Sequence, residues 1–183
     1  DKSSLKEVYK KELDAKGIRW EECQHTESEI LSADCIIKSP GIPHKVPIVQ
    51  QAKAKGIEII SEIEFASRYT DAKIIAITGS NGKTTTTTLV YHLLKEAGLS
   101  VAVGGNIGYS FARLVAQEPK EYYVLEISSF QLDDITSFHP HIALLLNITP
   151  DHLDRYNYEF QNYIDAKIRI TEFQQAADFL IYD

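Results

Sequence analysis

Methionine is absent from the 183 residues, and cysteine and tryptophan are scarce at two and one. Cys23 and Cys35 are too few and too far apart for a disulfide framework or a CxxC metal site. A reducing setting, the cytoplasm, is therefore expected. No apolar run reaches the roughly 18 residues of a membrane-spanning helix, so no membrane partner is expected. Asp1-Lys2-Ser3-Ser4 carries no apolar core of a signal peptide. Positive charge is also in deficit, with 19 Lys and Arg against 26 Asp and Glu and a net charge of -7. That balance argues against a nucleic-acid partner, which usually meets a basic surface. What remains is ordinary for a folded protein, at 44% hydrophobic and 25% charged residues. The length suits one large domain or two small ones. The missing methionine, and an ending Phe179-Leu180-Ile181-Tyr182-Asp183 that reads as a strand just begun, together predict a piece of a longer protein.

Up to about residue 70 the pattern alternates helix and strand. Ser4–Glu7 and Thr26–Glu29 read as capping boxes, in which a hydroxyl and a carboxylate three residues on satisfy backbone donors. Leu5, Val8, Tyr9 and Leu13 then make an apolar stripe ended by Gly17. Cys35-Ile36-Ile37 reads as a buried strand, Ser39-Pro40-Gly41-Ile42-Pro43 as a turn, 46–55 as a helix and 57–60 as a strand. Ser61 and Glu64 open a third helix as another capping box. Such alternation favours a parallel sheet, but two strands are too few for a doubly wound one. The polar break Tyr69-Thr70-Asp71-Ala72 marks the expected domain boundary, between residues 71 and 72. Beyond it, strands are predicted at 73–78, 100–103, 122–127 and 142–148. Helices are predicted at 84–97, with Leu89, Val90, Leu93 and Leu94 facing a core, and at 109–117 and 160–173.

The most informative segment is strand, then Thr78-Gly79-Ser80-Asn81-Gly82-Lys83-Thr84-Thr85, then helix. Gly79 and Gly82 allow close backbone approach to phosphate oxygens, and successive N–H groups at a helix start favour an anion. Lys83 can reach β- and γ-phosphates, and the Thr84 hydroxyl can hold Mg²⁺. The strict GxxxxGK[ST] pattern fails at its first position, which is Ile77. Five successive threonines, Thr84–Thr88, are poor helix formers, so something other than propensity selects them.

Other candidates cluster after strands, where parallel sheets bind ligands. Glu126 ends one strand and is either a ligand of the nucleotide's Mg²⁺ or a capping or solvated carboxylate. Asn147–Arg155 follows the next strand; His152 could ligate a metal or orient a phosphate, while Asp151 and Asp154 suit helix starts, and by itself the DHLD segment reads first as caps. His139 and His141 read as loop residues. Lys167 lies near an apolar side marked by Ile164, Ile168 and Ile170, where a lysine usually snorkels.

TGSNGKTTT, GGNIG (Gly104–Gly108), EISSFQL (Glu126–Leu132), NITPDHLDR and YIDAK together resemble the Mur ligase family in order and spacing, across essentially the whole chain. SPGIP and SEIE, with GGNIG and SSFQL, look most like its D-glutamate-adding branch. The resemblance implies an α/β fold: a partial Rossmann-like domain over 1–71 that holds a UDP-sugar, then a partial P-loop mononucleotide-binding domain over 72–183 with a mainly parallel sheet. It implies a cytoplasmic, monomeric, ATP-dependent acid–amino acid ligase of peptidoglycan synthesis. That enzyme joins D-glutamate to UDP-N-acetylmuramoyl-L-alanine through an acyl phosphate, and its third domain binds the incoming amino acid. Carried over by motif, Gly79, Ser80, Asn81, Gly82, Lys83, Thr84 and Thr85 hold ATP. Thr84, Glu126, His152 and Lys167 serve two Mg²⁺ sites, with Lys167 carbamoylated. Lys83, His152 and Lys167 are the catalytic set. Ser39, Pro40, Gly41, Asn106, Ser128 and Gln131 face the UDP-sugar, and Asp1 would lie near the uridine. This chain alone would be inactive. The alternatives are another Mur-type or folylpolyglutamate-type ligase, or an ATPase or nucleotide switch without ligase chemistry.

Overall fold

The computed structural model describes residues 4–117 and 119–183, so the reading of Asp1 lies outside the described residues. The elements in chain order are α1 (Glu7–Ala15), α2 (Glu27–Ile30), β1 (Cys35–Ile37), α3 (Pro47–Ala54), β2 (Glu58–Ile60), α4 (Glu62–Ser67) and β3 (Lys73–Thr78). There follow α5 (Lys83–Glu96), β4 (Val101–Gly105), α6 (Phe111–Gln117), β5 (Tyr122–Glu126), α7 (Ser129–Leu132), β6 (Ile142–Leu145), a 3-10 turn (Leu153–Arg155), α8 (Phe160–Ile168), a second 3-10 turn (Arg169–Thr171) and β7 (Phe179–Tyr182). The chain forms two compact units: Asp1–Ile36 with His44–Glu58, and Ile37–Pro43 with Ile59–Asp183. No described helix is long and apolar enough to cross a membrane.

In the first unit the expected capping boxes do not form. The α1 N-cap is Lys6, without a side-chain cap bond. Glu22 takes the Leu5 N–H at 2.9 Å, and Glu7 pairs with Lys10 at 3.1 Å. Thr26 precedes α2, but its hydroxyl donates to Glu21 instead. Half of the α1 stripe is exposed, Val8 at 63% and Tyr9 at 49%, while Leu5 and Leu13 are half-buried and no residue of the helix is fully buried. Pro47 begins α3, where its missing N–H costs no helical bond. β1 and β2 pair in a two-stranded sheet. Cys35 and Ile37 of β1 are exposed rather than buried, because residues two apart share one face of a strand and that face is open.

The second unit is built on a five-stranded sheet of order β4-β5-β3-β6-β7, parallel throughout. Alternate residues serve opposite faces. Ile74 and Ala76 of β3 join Tyr123 and Leu125 of β5 in one cluster, together with Ile63 of α4 and Phe111 of α6. Ile75, Ile77 and Val124 form the other, under Val90, Tyr91 and Leu94 of α5. Both faces are thus covered, which explains the near-continuous apolar run in β3. Leu89 and Leu93 do not face the core as expected; they are exposed. The stripe that faces the core is buried Thr87 with half-buried Val90, Tyr91 and Leu94, spaced i, i+3, i+4, i+7. On α8 the buried residues are Tyr163, Ala166 and Lys167, whereas Ile168 is exposed.

Residues 133–138 have no regular structure, yet charged side chains account for much of their backbone. Glu64, wholly buried, accepts N–H bonds from Thr136, Ser137 and Phe138 at 3.0, 2.9 and 2.7 Å, and the Ser137 hydroxyl at 2.6 Å. Arg68 adds a 3.0 Å ion pair to it. Arg169 donates to the carbonyls of Asp133 and Ile135 at 2.7 and 2.9 Å. The expected box at α4 is therefore half formed: Ser61 accepts the Glu64 N–H, but the carboxylate is engaged elsewhere. Burial alone would push the Glu64 carboxyl up; the Ser137 hydroxyl, the backbone N–H groups and Arg68 outweigh it and hold it at about 2. A depressed folded-state value stabilises above the unfolded value and is lost as pH falls from about 4.5 to about 2. Glu64→Gln should lower stability at pH 7 by roughly 2–4 kcal/mol. It should also flatten the acid limb of thermal unfolding midpoint against pH across that window.

Candidate functional site

The carboxyl ends of β3, β5 and β6 meet at one edge of the sheet. Between β3 and α5 the loop Gly79–Gly82 turns back sharply. Gly82 is the N-cap of α5 at φ 82°, a left-handed conformation suited to glycine, and no side chain caps the helix. The first N–H groups of a 14-residue helix thus stand ready for an anion. The segment after β6 shapes the loop. Leu146 N–H donates to the Thr78 carbonyl at 3.0 Å and Ser80 N–H to the Asn147 carbonyl at 2.8 Å. The Asn147 amide accepts from Asn81 N–H at 2.9 Å and donates to its carbonyl at 3.0 Å. The Ser80 hydroxyl donates to the Thr149 carbonyl and accepts its N–H, both at 2.9 Å.

Two lysines share one acceptor. The Gly79 carbonyl takes Lys83 Nζ at 2.9 Å and Lys167 Nζ at 2.8 Å, and Lys83 also reaches the Ser80 carbonyl at 3.0 Å. Lys167 does not snorkel: it is 2% exposed and lies 4.7 Å from the centre of the Tyr163 ring. The Tyr163 hydroxyl is 3.2 Å from Ser80 Oγ. Burial first, and the Lys83 charge second, pull the Lys167 ammonium down to about 8.

Glu126 is buried at the end of β5, not solvated. Its Oε2 accepts the Thr84 hydroxyl at 2.6 Å and its Oε1 the Asn106 amide at 2.7 Å. Gly105, paired with Glu126 in register, lets the two backbones lie close: a Cβ there would be 2.4 Å from the Glu126 carbonyl oxygen. Among the described residues no three His, Cys, Asp or Glu side chains gather to hold a metal. The Thr84–Glu126 pair is instead an all-oxygen donor set. It fits Mg²⁺, which takes one or two protein oxygens and completes its shell with phosphate and water. Thr85 is exposed beside Thr84 at the mouth of the loop.

The remaining predicted residues form a neighbouring group. Ser128 and Gln131 make a reciprocal capping box on α7, with Gln131 buried. His152 is exposed, at φ 49°, with Asp151 Oδ2 3.5 Å away and the Phe130 ring 5.2 Å away. Pro40 and Gly41 offer their carbonyls to Arg155, and Ser39 is exposed next to them. Residue-type reasoning missed Asn147, Thr149, Tyr163 and Arg155. All four lie inside motifs visible in the sequence; Asn147, Thr149 and Tyr163 are not residue types that announce phosphate chemistry, and the partners of Arg155, the Pro40 and Gly41 carbonyls, lie more than a hundred residues away.

Residues 77–183 match the Mur ligase middle domain, and residues 3–61 match the Mur ligase MurD-like N-terminal domain. The chain is 59% identical over 182 residues to the UDP-N-acetylmuramoylalanine–D-glutamate ligase of Bacteroides fragilis, and 56% identical over 183 residues to that of Christiangramia forsetii. These alignments cover 100% of this chain and 41% of each relative. Among solved structures, the Neisseria meningitides UDP-N-acetylmuramate:L-alanyl-gamma-D-glutamyl-meso-diaminopimelate ligase aligns at TM-score 0.64 and 17% identity, over 99% of this chain and 61% of that one. The Thermotoga maritima UDP-N-acetylmuramate–alanine ligase aligns at TM-score 0.55 and 23% identity, over 98% and 42%. Those likenesses carry the fold alone. With the middle-domain match spanning more than half of its length, the chain belongs to the Mur ligase family.

Proposed function

We propose that the full-length protein is a cytoplasmic, monomeric, ATP-dependent ligase that joins D-glutamate to UDP-N-acetylmuramoyl-L-alanine. The observation that carries the reading is the convergence of the Gly79–Gly82 loop, Lys83 and the Thr84–Glu126 pair at one sheet edge. The 59% identity to a relative named UDP-N-acetylmuramoylalanine–D-glutamate ligase supports the choice of substrates. Residues 1–71 would belong to the UDP-sugar domain and 72–183 to the ATP domain.

In the reaction, the substrate carboxylate attacks the γ-phosphorus of ATP, and ADP leaves. The acyl phosphate so formed has a good leaving group, which the free carboxylate lacked. The amine of D-glutamate attacks its carbonyl carbon, phosphate departs and the amide remains. Lys83 offsets charge on the transferring phosphoryl group, and the loop N–H groups position it. Gly79, Ser80, Asn81, Gly82 and Thr85 line the triphosphate. Mg²⁺, held by Thr84 and Glu126 with a second site at His152 and Lys167, would supply further charge neutralisation. A carbamate on Lys167 would turn a buried cation into an anionic oxygen ligand. Ser39, Pro40, Gly41, Asn106, Ser128 and Gln131 would face the UDP-sugar.

Phosphate release from ATP by the full-length protein should require both UDP-N-acetylmuramoyl-L-alanine and D-glutamate. Lys83→Met should reduce it by at least about a hundredfold. Release that ignores the UDP-sugar, or a fully active Lys83→Met variant, would contradict the assignment. With ¹³C-bicarbonate, a carbamate resonance should appear in the full-length protein and be absent from Lys167→Arg. An identical spectrum in the two would remove Lys167 from the metal set.

A further inference from the structure

The Ser39–Ile42 turn has an unusual electrostatic arrangement: two cations hold four successive carbonyl oxygens. Lys38 Nζ reaches the carbonyls of Ser39 and Ile42 at 3.4 and 2.8 Å. The Arg155 guanidinium donates to those of Pro40 and Gly41, each at 3.2 Å. Neither cation is free to wander. Lys38 is 4% exposed and paired with the equally buried Asp134 at 2.9 Å. The Asp134 carbonyl in turn accepts Ser61 N–H at 2.8 Å. Arg155 lies over the Phe130 ring, 4.5 Å from its centre, and Phe130 stacks on Tyr156 with planes 13° apart.

We infer that Lys38 and Arg155 are positioning residues for the sugar nucleotide, fixing the backbone of the loop that meets it. This rests on the reading of Ser39–Gly41 as a substrate contact. The reasoning is geometric. A trans peptide is planar, so its carbonyl and the next N–H point in opposite directions. Holding the Pro40 carbonyl on Arg155 therefore aims the Gly41 N–H away from that cation. Glycine has little intrinsic backbone preference, so a turn containing it adopts one orientation only when something external selects it. Here the selection comes from both sides. Ile42 N–H closes the turn on the Ser39 carbonyl at 3.0 Å. The loop then presents one fixed face, and the order is in place before any ligand arrives.

Arg155 also sits three residues after His152, on the same short turn as Leu153 and Asp154. The SPGIP loop, Phe130 of the SSFQL segment and the His152 segment thus share one guanidinium. An arginine suits this place, because its planar fork serves two adjacent carbonyls while its face stacks on a ring. Lysine could keep the charge but not both contacts.

The test is calorimetry on the full-length protein, titrating UDP-N-acetylmuramoyl-L-alanine and MgATP separately. Arg155→Met should weaken the UDP-sugar about tenfold, the size of one lost charge-assisted hydrogen bond, with MgATP affinity unchanged. Arg155→Lys should recover part of that loss. The double variant Lys38→Met/Asp134→Leu removes the buried pair together, so no charge is left alone, and it should show the same selective weakening. If that double variant fails to fold, the two Arg155 variants decide. Unchanged UDP-sugar affinity in Arg155→Met, or parallel losses for UDP-sugar and MgATP, would overturn the inference alone. A wild-type protein that does not bind the UDP-sugar would overturn the substrate reading beneath it.

Discussion

The pairing between the Gly79–Gly82 loop and the segment after β6 is the constraint on which the rest of the site depends. A loop rich in glycine does not choose one shape by itself. Here the Asn147 amide pairs with both backbone groups of Asn81, and the Ser80 hydroxyl takes both backbone groups of Thr149. The loop is therefore stitched to its neighbour by side chains as well as by the Ser80 N–H bond to the Asn147 carbonyl. Once it is fixed, the Gly79 carbonyl stands where two ammonium groups converge, and α5 starts with uncapped N–H groups.

Charge is concentrated rather than abundant. The chain is acidic overall, at -7, yet the loop presents Lys83, buried Lys167 and a helix N-terminus within one small region. Binding of a polyanion needs only this local field, because burial strengthens nearby charges and solvent screens distant ones. Elsewhere charged side chains do structural work. Glu64, Arg169, Lys38 and Arg155 satisfy backbone groups of irregular segments that no helix or sheet could serve. Lys38 serves carbonyls one and four residues on, but the other three span wide gaps in sequence, from 34 residues for Arg169 to 115 for Arg155.

That distance explains what could be read in the sequence and what could not. The strand–loop–helix around Lys83 was legible because glycine, lysine and threonine act within a few residues of one another. The parallel sheet was legible from the alternation of elements and the apolar run in β3. The burial of Lys167 was not, since its acceptor is 88 residues away and its helix shows isoleucines on the wrong side. On α5 the expectation holds for Val90 and Leu94 but not for Leu89 and Leu93, which hydropathy alone would bury; spacing from Thr87 separates the two sets. At Thr26 the box does not form because Glu21 takes both the N–H and the hydroxyl that it needs; at Ser4 the helix starts two residues later, after Lys6, and Glu22 takes the Leu5 N–H. The box that did form in full, at Ser128 and Gln131, lay inside a motif read only for its chemistry.

By pairing with Asn81, Asn147 shapes the Gly79–Gly82 loop before any ligand arrives. Calorimetric titration of MgATP into the full-length protein and its Asn147→Ala variant tests this most directly. The variant should bind about tenfold more weakly, as expected for loss of two hydrogen bonds that preorganise a binding loop, with a similar thermal midpoint. Equal affinity in the two proteins would contradict it.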